Sequence, residues 1–390
     1  MNIVSPELPI ILLFFIIFPL FLFRSFQAKA LTFYLSIYSL GLVVASFFDL
    51  PLDILSYHDS IQTRSLLLKV LIVFWVSICS SAIFTKYFMK KDNIKINFKS
   101  RQIAIISIVF MFIAVLVEAF ISSYAGILGT YSNLSKTTYL FTYLSLPIAS
   151  YLSYSKKPSL IFYFLFIVHI VLCLLNGERL MAVTAITTLA FFTKPFKLNL
   201  KWIIYFFGVA FIFLLLDDIR SGSEIDLNIS NRLLPSGEIV THHGSVLYSS
   251  LVLIDYAKNN LSFDNFSDGL SYLFGLDGSR AGSGFILNIG DFAKRGGGGL
   301  LPSFYIALFG INFGYFLTII SGFMIGSSLI KYEYHNCTYP FLLMLGLLPH
   351  SYAYTPILFF RPLFAFIIIF GFINYFCSIR AKNDFKKNYS

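Results

Sequence analysis

The sequence predicts an all-α, polytopic integral membrane protein with about 11 transmembrane helices and one large external loop. Hydrophobic residues make up 57% of the 390-residue chain and charged residues only 12%. The mean hydropathy of +0.78 is also far from that of a water-soluble domain. Apolar stretches near twenty residues, enough to cross about 30 Å of hydrocarbon, recur along the chain. The predicted spans are 6–23, 30–49, 66–88, 102–123, 138–154, 159–175, 179–193, 202–217, 302–329, 341–358 and 362–379.

The distribution of Lys and Arg supports this topology. Cytoplasmic loops of membrane proteins carry an excess of these residues, and here they fall on alternate loops. With the C-terminus in the cytoplasm and a short N-terminus outside, 18 of the 29 Lys and Arg residues lie on the cytoplasmic side. The net charge of +10 therefore reflects topology, and nucleic-acid binding is not expected. Two segments after residue 300 are candidates for kinked or re-entrant helices.

Three regions follow from the spacing of the spans. Residues 1–216 form an N-terminal bundle of about eight helices, 217–300 form the large external loop, and 301–390 hold the C-terminal helices and a short cytoplasmic tail. Within the loop, 245–257 and 268–276 are predicted to be helices that lie on or dip into the bilayer face, because apolar residues cover most of their surface. The four cysteines have neither a metal-binding nor a stapling arrangement and are expected to pack as small apolar residues.

Ionisable residues inside predicted spans are few. Glu118 and Lys69 lie near the outer ends of their helices, where they are expected to reach water, and His169 is expected to be a neutral, packed imidazole. In a transporter these three residues would instead be candidates for a proton relay.

Arginines on the predicted external side are the informative group, because the positive-inside bias selects against them there. A guanidinium group binds phosphate through two parallel hydrogen bonds, which Lys does not. A pyrophosphate at the membrane surface is therefore the predicted ligand, although Arg179 alone is explained equally well as an interfacial residue at a helix start. The arginines in question are Arg179, Arg220, Arg232, Arg280, Arg295 and Arg361, with Lys294 beside them.

A run of four glycines, 296–299, follows Lys294 and Arg295 directly. Consecutive glycines can point several backbone N–H groups at one anion, and a helix starting near Pro302 would add the positive end of its dipole. The alternative for such a run is a flexible linker.

Candidate groups for proton transfer are carboxylates close to cations. Glu178 precedes Arg179, Asp277 lies three residues before Arg280, and Asp291 lies four before Arg295. Each is also explained by a simple salt bridge. Further polar candidates are His242 in the loop, and His350, Tyr352 and Tyr354 with Arg361 between the last two spans.

The segment GGGGLLPSFYIALFGINFGYFLTIISGFMIG resembles the late signature of the Wzy family, the bacterial O-antigen or oligosaccharide repeat unit polymerases. The hairpin NGERLMAVTAITTLAFF is similar to an earlier one in that family, in which Gly-x-Arg opens a span. The matching positions are Gly296 to Gly299, Pro302, Ser303, Asn312, Phe313, Gly314, Gly177 and Arg179.

The resemblance implies a GT-C-type membrane glycosyltransferase in the bacterial inner membrane, with its active site facing the periplasm. Such an enzyme would transfer the growing glycan from undecaprenyl pyrophosphate onto a new lipid-linked repeat unit, without a metal or other cofactor. Expected partners are the undecaprenyl-pyrophosphate-linked oligosaccharide, the lipid bilayer and a chain-length-regulating polysaccharide co-polymerase. The candidate catalytic residues are Arg280, Arg295, Asp277 and Glu178. The candidate substrate-binding residues are Arg179, Arg220, Lys294, Gly296, Gly297, Gly298, Gly299, His242, His350, Tyr354 and Arg361.

Two other functions are compatible with the sequence. An O-antigen ligase would use the same donor and pass the glycan to lipid A core. A flippase or other transporter of lipid-linked oligosaccharide would usually show two related halves, and no halves repeat here.

Overall fold

The structure is a computed structural model that describes residues 5–49, 60–88, 101–125, 145–155, 158–175, 179–197, 242–259, 269–270, 273, 299–353, 360–369, 371–372 and 375. This part of the chain is almost entirely helical. Its one pairing of extended residues is an isolated antiparallel bridge between Ser25 and Lys197. The predicted all-α class is thereby confirmed for the described ranges.

Ten helices are numbered here in chain order, and a short further helix covers Phe360–Ile369. The first five are α1 Glu7–Leu22, α2 Phe26–Phe47, α3 Ile61–Phe88, α4 Arg101–Ala125 and α5 Ser145–Tyr154. The next five are α6 Leu160–Leu175, α7 Arg179–Phe192, α8 His242–Asn259, α9 Leu301–Glu333 and α10 Tyr339–Ala353. Every predicted span that falls in the described ranges coincides with one of these helices.

Three helices, α2, α3 and α9, are long and apolar enough to cross a membrane. Shorter apolar helices include α1, α6 and the helix at Phe360–Ile369. The molecule therefore has the character of a membrane protein, and the total of eleven spans stays a prediction. The span predicted over 202–217 lies outside the described residues.

The tightest helix pair is α3 with α9, which run parallel along much of their length. A Cβ atom added at Gly322 would lie 2.7 Å from the carbonyl oxygen of Phe74, and one at Gly326 would meet the carbonyl oxygen of Ile78. Small residues allow two backbones to approach this closely, which is how helices associate where lipid offers no hydrophobic driving force. The pair places Gly310 of α9 at the same end of the bundle as the start of α3.

At the opposite end, which we call the basic end, three chain connections are tied together. The Glu333 carboxylate accepts hydrogen bonds from the backbone N–H groups of Arg24 and Ser25, both at 2.6 Å. The N–H of Phe26 donates to the carbonyl of Phe196 at 2.8 Å. A carboxylate near a helix N-terminus accepts from backbone N–H groups and is stabilised by the dipole, so the end of α9 is tied to the start of α2. The N-cap of α2 is Ser25, whose hydroxyl accepts from the N–H of Ala28. The charged residues of the basic end include Arg24, Lys29, Lys86, Lys194, Lys197, Lys331 and Glu333.

Helix α8 lies elsewhere than the sequence predicts. The helix itself is present, but Leu247, Leu251 and Ile254 are fully buried under α2, α3 and α9 instead of facing the bilayer. An apolar surface nearly all the way round a helix is typical of a core helix as well as of an interfacial one, and the hydrophobic pattern alone does not separate the two. The large loop thus contributes a core element to the bundle.

Candidate functional site

The glycine-rich segment singled out by the sequence contains a break in α9. Gly310 has φ 76° and ψ 170°, a left-handed conformation that glycine adopts without steric cost. A Cβ atom added at Gly314 would lie 2.6 Å from the Cα atom of Ile306. Eight residues would be about 12 Å apart along a straight helix, so the chain reverses at Gly310. Residues 301–309 form a short half-helix folded back on the rest of α9, which confirms the expectation of a kinked or re-entrant segment here.

The start of this half-helix is held against α8. The N–H of Leu300 donates to the Ser250 hydroxyl at 2.8 Å, and the Ser303 hydroxyl donates to the carbonyl of Leu300 at 2.6 Å. Gly299, the last of the four glycines, approaches so closely that an added Cβ atom would lie 2.7 Å from Cδ1 of Leu253. The last glycine of the run is thus buried against α8.

A buried cluster surrounds the half-helix. The half-helix contributes Phe304, Ala307 and Leu308, which pack with Leu253 and Tyr256 of α8. Two further parts of the chain join them. Leu273, from the second predicted loop helix, is buried in the same cluster, and Phe360 packs against it. The Phe360 ring also meets Tyr305 edge-on, with a centroid separation of 6.3 Å. The fold thus brings the glycine-rich segment, the large loop and the last described helix to one place.

Arg361 and His350 flank this cluster in sequence. Arg361 follows Phe360 and is half-buried, with its Nε atom inside the protein. His350 lies in α10 and is 2% exposed. Burying a cation or a polar ring at this depth is costly unless it has a role, and both residues were predicted to bind substrate.

A polar group that the sequence analysis missed sits at the first turn of α3. Arg64 is 6% exposed, and its Nη1 atom donates to the carbonyl of Ala45 at 3.2 Å. Next to it the Thr63 hydroxyl donates to Asp255 Oδ1 and accepts from Lys258 Nζ, both at 3.4 Å. A cation in the first turn of a helix is disfavoured by the dipole, and Arg64 also lies on the side where cations are selected against. Both features, the position in the first turn of a predicted helix and the predicted external side, can be read from the sequence.

A second polar group lies between α4 and α6. His169 Nδ1 is 2.9 Å and 3.1 Å from the two carboxylate oxygens of Glu118, and both side chains are almost wholly buried. The Cys173 sulfur lies 3.6 Å and 3.7 Å from the two ring nitrogens, which places it over the ring. Glu118 was expected to reach water and does not. His169 was expected to be packed, which is correct, but the carboxylate partner was not foreseen. Lys69 is exposed on α3.

Most predicted site residues fall outside the described part of the chain. Arg179 and His242 are the first residues of α7 and α8. Among the described residues, no three His, Cys, Asp or Glu side chains are grouped closely enough to hold a metal ion. The predicted positions outside the described residues are Arg280, Arg295, Asp277, Glu178, Arg220, Lys294, Gly296, Gly297, Gly298 and Tyr354.

No protein-family model, curated protein or solved structure matches this chain. The functional argument therefore rests on the chain's own residues.

Proposed function

We propose that the protein is a Wzy-type O-antigen polymerase, a membrane glycosyltransferase. The observation that carries the proposal is the coincidence of two features in one segment. The stretch that resembles the polymerase signature, 296–326, is also where the helix breaks at Gly310 and where Gly299 is packed against α8. Broken helices within a membrane protein usually border a cavity or a binding site, because unpaired backbone is tolerated only there.

The reaction would proceed by displacement at the anomeric carbon of the growing glycan. A sugar hydroxyl of the new repeat unit forms the new glycosidic bond, and undecaprenyl pyrophosphate leaves with the bonding electron pair. The charge on the leaving pyrophosphate would be stabilised by guanidinium groups, foremost Arg280 and Arg295, with Arg179 and Arg361 as further cations of the proposed site. The hydroxyl proton passes to a base, for which Asp277 and Glu178 are the candidates from sequence.

The proposed topology has eleven spans in the bacterial inner membrane, with the basic end in the cytoplasm. Six cations against one acid among the residues named for the basic end support this orientation. Gly310, at the far end of α9, would then face the periplasm. Residues 310–333 would extend about 35 Å as a helix, which is enough to cross the hydrocarbon layer.

The deciding experiment is reconstitution of the purified protein in liposomes with a synthetic undecaprenyl-diphosphate-linked repeat unit. We expect a ladder of glycans that grows by whole repeats, resolved by gel electrophoresis and mass spectrometry. The proposal is wrong if the repeat unit is returned unchanged under conditions in which the protein is folded. A deletion strain separates polymerase from ligase. A polymerase mutant retains one repeat on lipid A core, whereas a ligase mutant retains none.

Transport of the lipid-linked oligosaccharide is the second candidate, and the buried Glu118–His169 pair favours it. Ionisable groups inside membrane helices often belong to proton-coupled transporters. A fluorescent lipid-linked oligosaccharide in proteoliposomes tests this reading: protein-dependent movement between leaflets, without any glycan growth, would select the transporter.

A further inference from the structure

The Glu118–His169 pair is a second centre of chemistry that the fold has assembled from distant parts of the chain. The two residues come from separate helices, α4 and α6, and lie 51 positions apart in the sequence. Two ionisable groups buried together in a lipid-spanning bundle are costly, because removing each from water is repaid only by good mutual geometry. Helix association does not require buried ionisable groups, since α3 and α9 pack through glycine contacts.

The geometry is that of an oriented imidazole. The carboxylate of Glu118 contacts Nδ1 of His169 through both oxygens, which favours a proton on Nδ1 and leaves Nε2 as the basic ring nitrogen. A carboxylate behind an imidazole also stabilises the imidazolium that forms when Nε2 takes a proton. This arrangement is the one used when histidine acts as a general base.

The pair lies just below the hairpin that joins α6 to α7. His169 is six residues before the end of α6 at Leu175, or about 9 Å along the axis. One turn above it, Cys173 is packed with Met181 and Ala182 of α7. Because α7 ends at the basic end, the hairpin and Arg179 lie at the opposite end, where Gly310 also lies. The pair is therefore on the proposed active side of the bundle.

We propose that His169, oriented by Glu118, is the base that takes the acceptor hydroxyl proton. The inference rests on the proposed function. As the sugar oxygen forms its bond to the anomeric carbon, the proton moves to Nε2 and the pyrophosphate leaves with the electron pair of the broken bond. Glu118 keeps its charge and holds the imidazolium; the proton then passes to the aqueous phase. Asp277 and Glu178 would be left to position the substrate.

The elements packed near the pair carry other titratable groups. Cys173 contacts His169 on its own helix, and α7, which packs against α6, begins at Arg179. Helix α5 packs on α4 and α7 and carries Tyr151 and Tyr154, but the Tyr151 hydroxyl accepts from the N–H of Ser159 at the start of α6, away from the pair. None of these groups is a carboxylate, so Glu118 is the acidic residue that the test substitutes.

The test is the pH dependence of kcat for reconstituted enzyme carrying Glu118→Gln or His169→Gln. We expect kcat to fall about a hundredfold in either variant, the usual scale of general-base catalysis, with KM unchanged. In His169→Gln the acid limb of the pH profile should disappear, because the proposed base is gone. Val171→Ala, a change on the exposed face of the same helix, should match the wild type.

Three results would overturn the inference. The first is a wild-type profile in both glutamine variants. The second is an acid limb that disappears in Glu178→Gln or Asp277→Asn. If the glutamine variants fail to accumulate, Glu118→Asp decides in their place: a lower kcat with unchanged KM supports the base role, and a wild-type kcat contradicts it.

A failure of the proposed function can be distinguished from a failure of this inference. If the wild-type protein forms no polymer, the polymerase is rejected. Infrared titration of wild type against Glu118→Gln and His169→Gln then still reports whether the pair takes up a proton between pH 5 and 9, roughly the range over which histidines in proteins titrate. A pair that takes up none overturns the inference by itself.

Discussion

The two ends of the bundle are built in opposite ways. At the basic end, charged side chains are mostly exposed, while Glu333 and the Phe26–Phe196 contact tie three connections through backbone hydrogen bonds. At the other end, which we call the hairpin end, the helix reverses at Gly310 and the charged residue Arg64 is buried. Arg64 is not isolated there, because its Nη1 atom donates to the carbonyl of Ala45 at 3.2 Å and lies 3.8 Å from Asp49 Oδ1. The comparison separates the stabilising contacts at the basic end from the proposed site at the hairpin end.

The largest expected effect is the loss of an arginine from the proposed pyrophosphate site. Arg280→Ala or Arg295→Ala should raise the barrier by about 3 kcal/mol, or lower the rate about a hundredfold, with an unchanged thermal unfolding midpoint. Glycan laddering in cells and turnover in liposomes measure the effect. Lys194→Ala, which removes an exposed cation at the basic end, is the control and should leave the ladder intact. Wild-type laddering in either arginine variant would remove that arginine from the mechanism.

The fold-back at the hairpin end is tested by Gly314→Ala. The new methyl group would lie within 3 Å of the backbone of Ile306, and the half-helix would have to move away. We expect destabilisation of about 2 kcal/mol, within the usual range for overpacking, measured by unfolding in detergent. Gly371→Ala is the matched control, because an added Cβ atom there has nothing within 4 Å. Equal stability of the two variants would contradict the reversal of the chain at Gly310.

At the basic end, Glu333→Ala removes the acceptor of two backbone hydrogen bonds. A hydrogen bond typically contributes about 1 kcal/mol to stability, so the unfolding midpoint should fall modestly. Turnover per folded molecule should not change, because the proposed site lies at the other end. Glu7→Ala, at an exposed carboxylate in the first turn of α1, serves as the control. A fall in turnover with Glu333→Ala would contradict the view that the basic end contributes to stability only.

The smallest effect concerns Cys337, in the connection between α9 and α10 at the basic end. Burial raises the pKa of its thiol to about 12, against an opposing effect of Lys331. The thiol stays protonated at pH 8, and since the thiolate is the nucleophile, maleimide should modify it slowly. Peptide mass spectrometry after timed labelling measures the rate. Tyr334→Cys in a Cys337→Ser background places a thiol at an exposed site in the same connection and should react quickly; equal rates would show Cys337 to be accessible.

The helices could be predicted from the sequence, but the contacts that each helix makes could not. A hydrophobic period identifies a helix and its apolar face, and this was enough to predict nearly all described elements and the kink after residue 300. It does not say what covers that face, so α8 was assigned to the membrane surface. The contacts of Glu118 with His169 and of Glu333 with the start of α2 join residues far apart in sequence, and neither side chain's local context points to the other.

The contact between Glu333 and the start of α2 has a consequence for protein synthesis. Ser25 and Glu333 are 308 positions apart, so the ribosome has completed most of the protein before the carboxylate exists. Contacts of such long sequence separation form late. Until then, the surface of α3 that receives Gly322 and Gly326 would also be open to chaperones and membrane proteases. Chains that terminate before α9 should therefore be degraded, and nascent full-length chains should acquire protease resistance in a single late step.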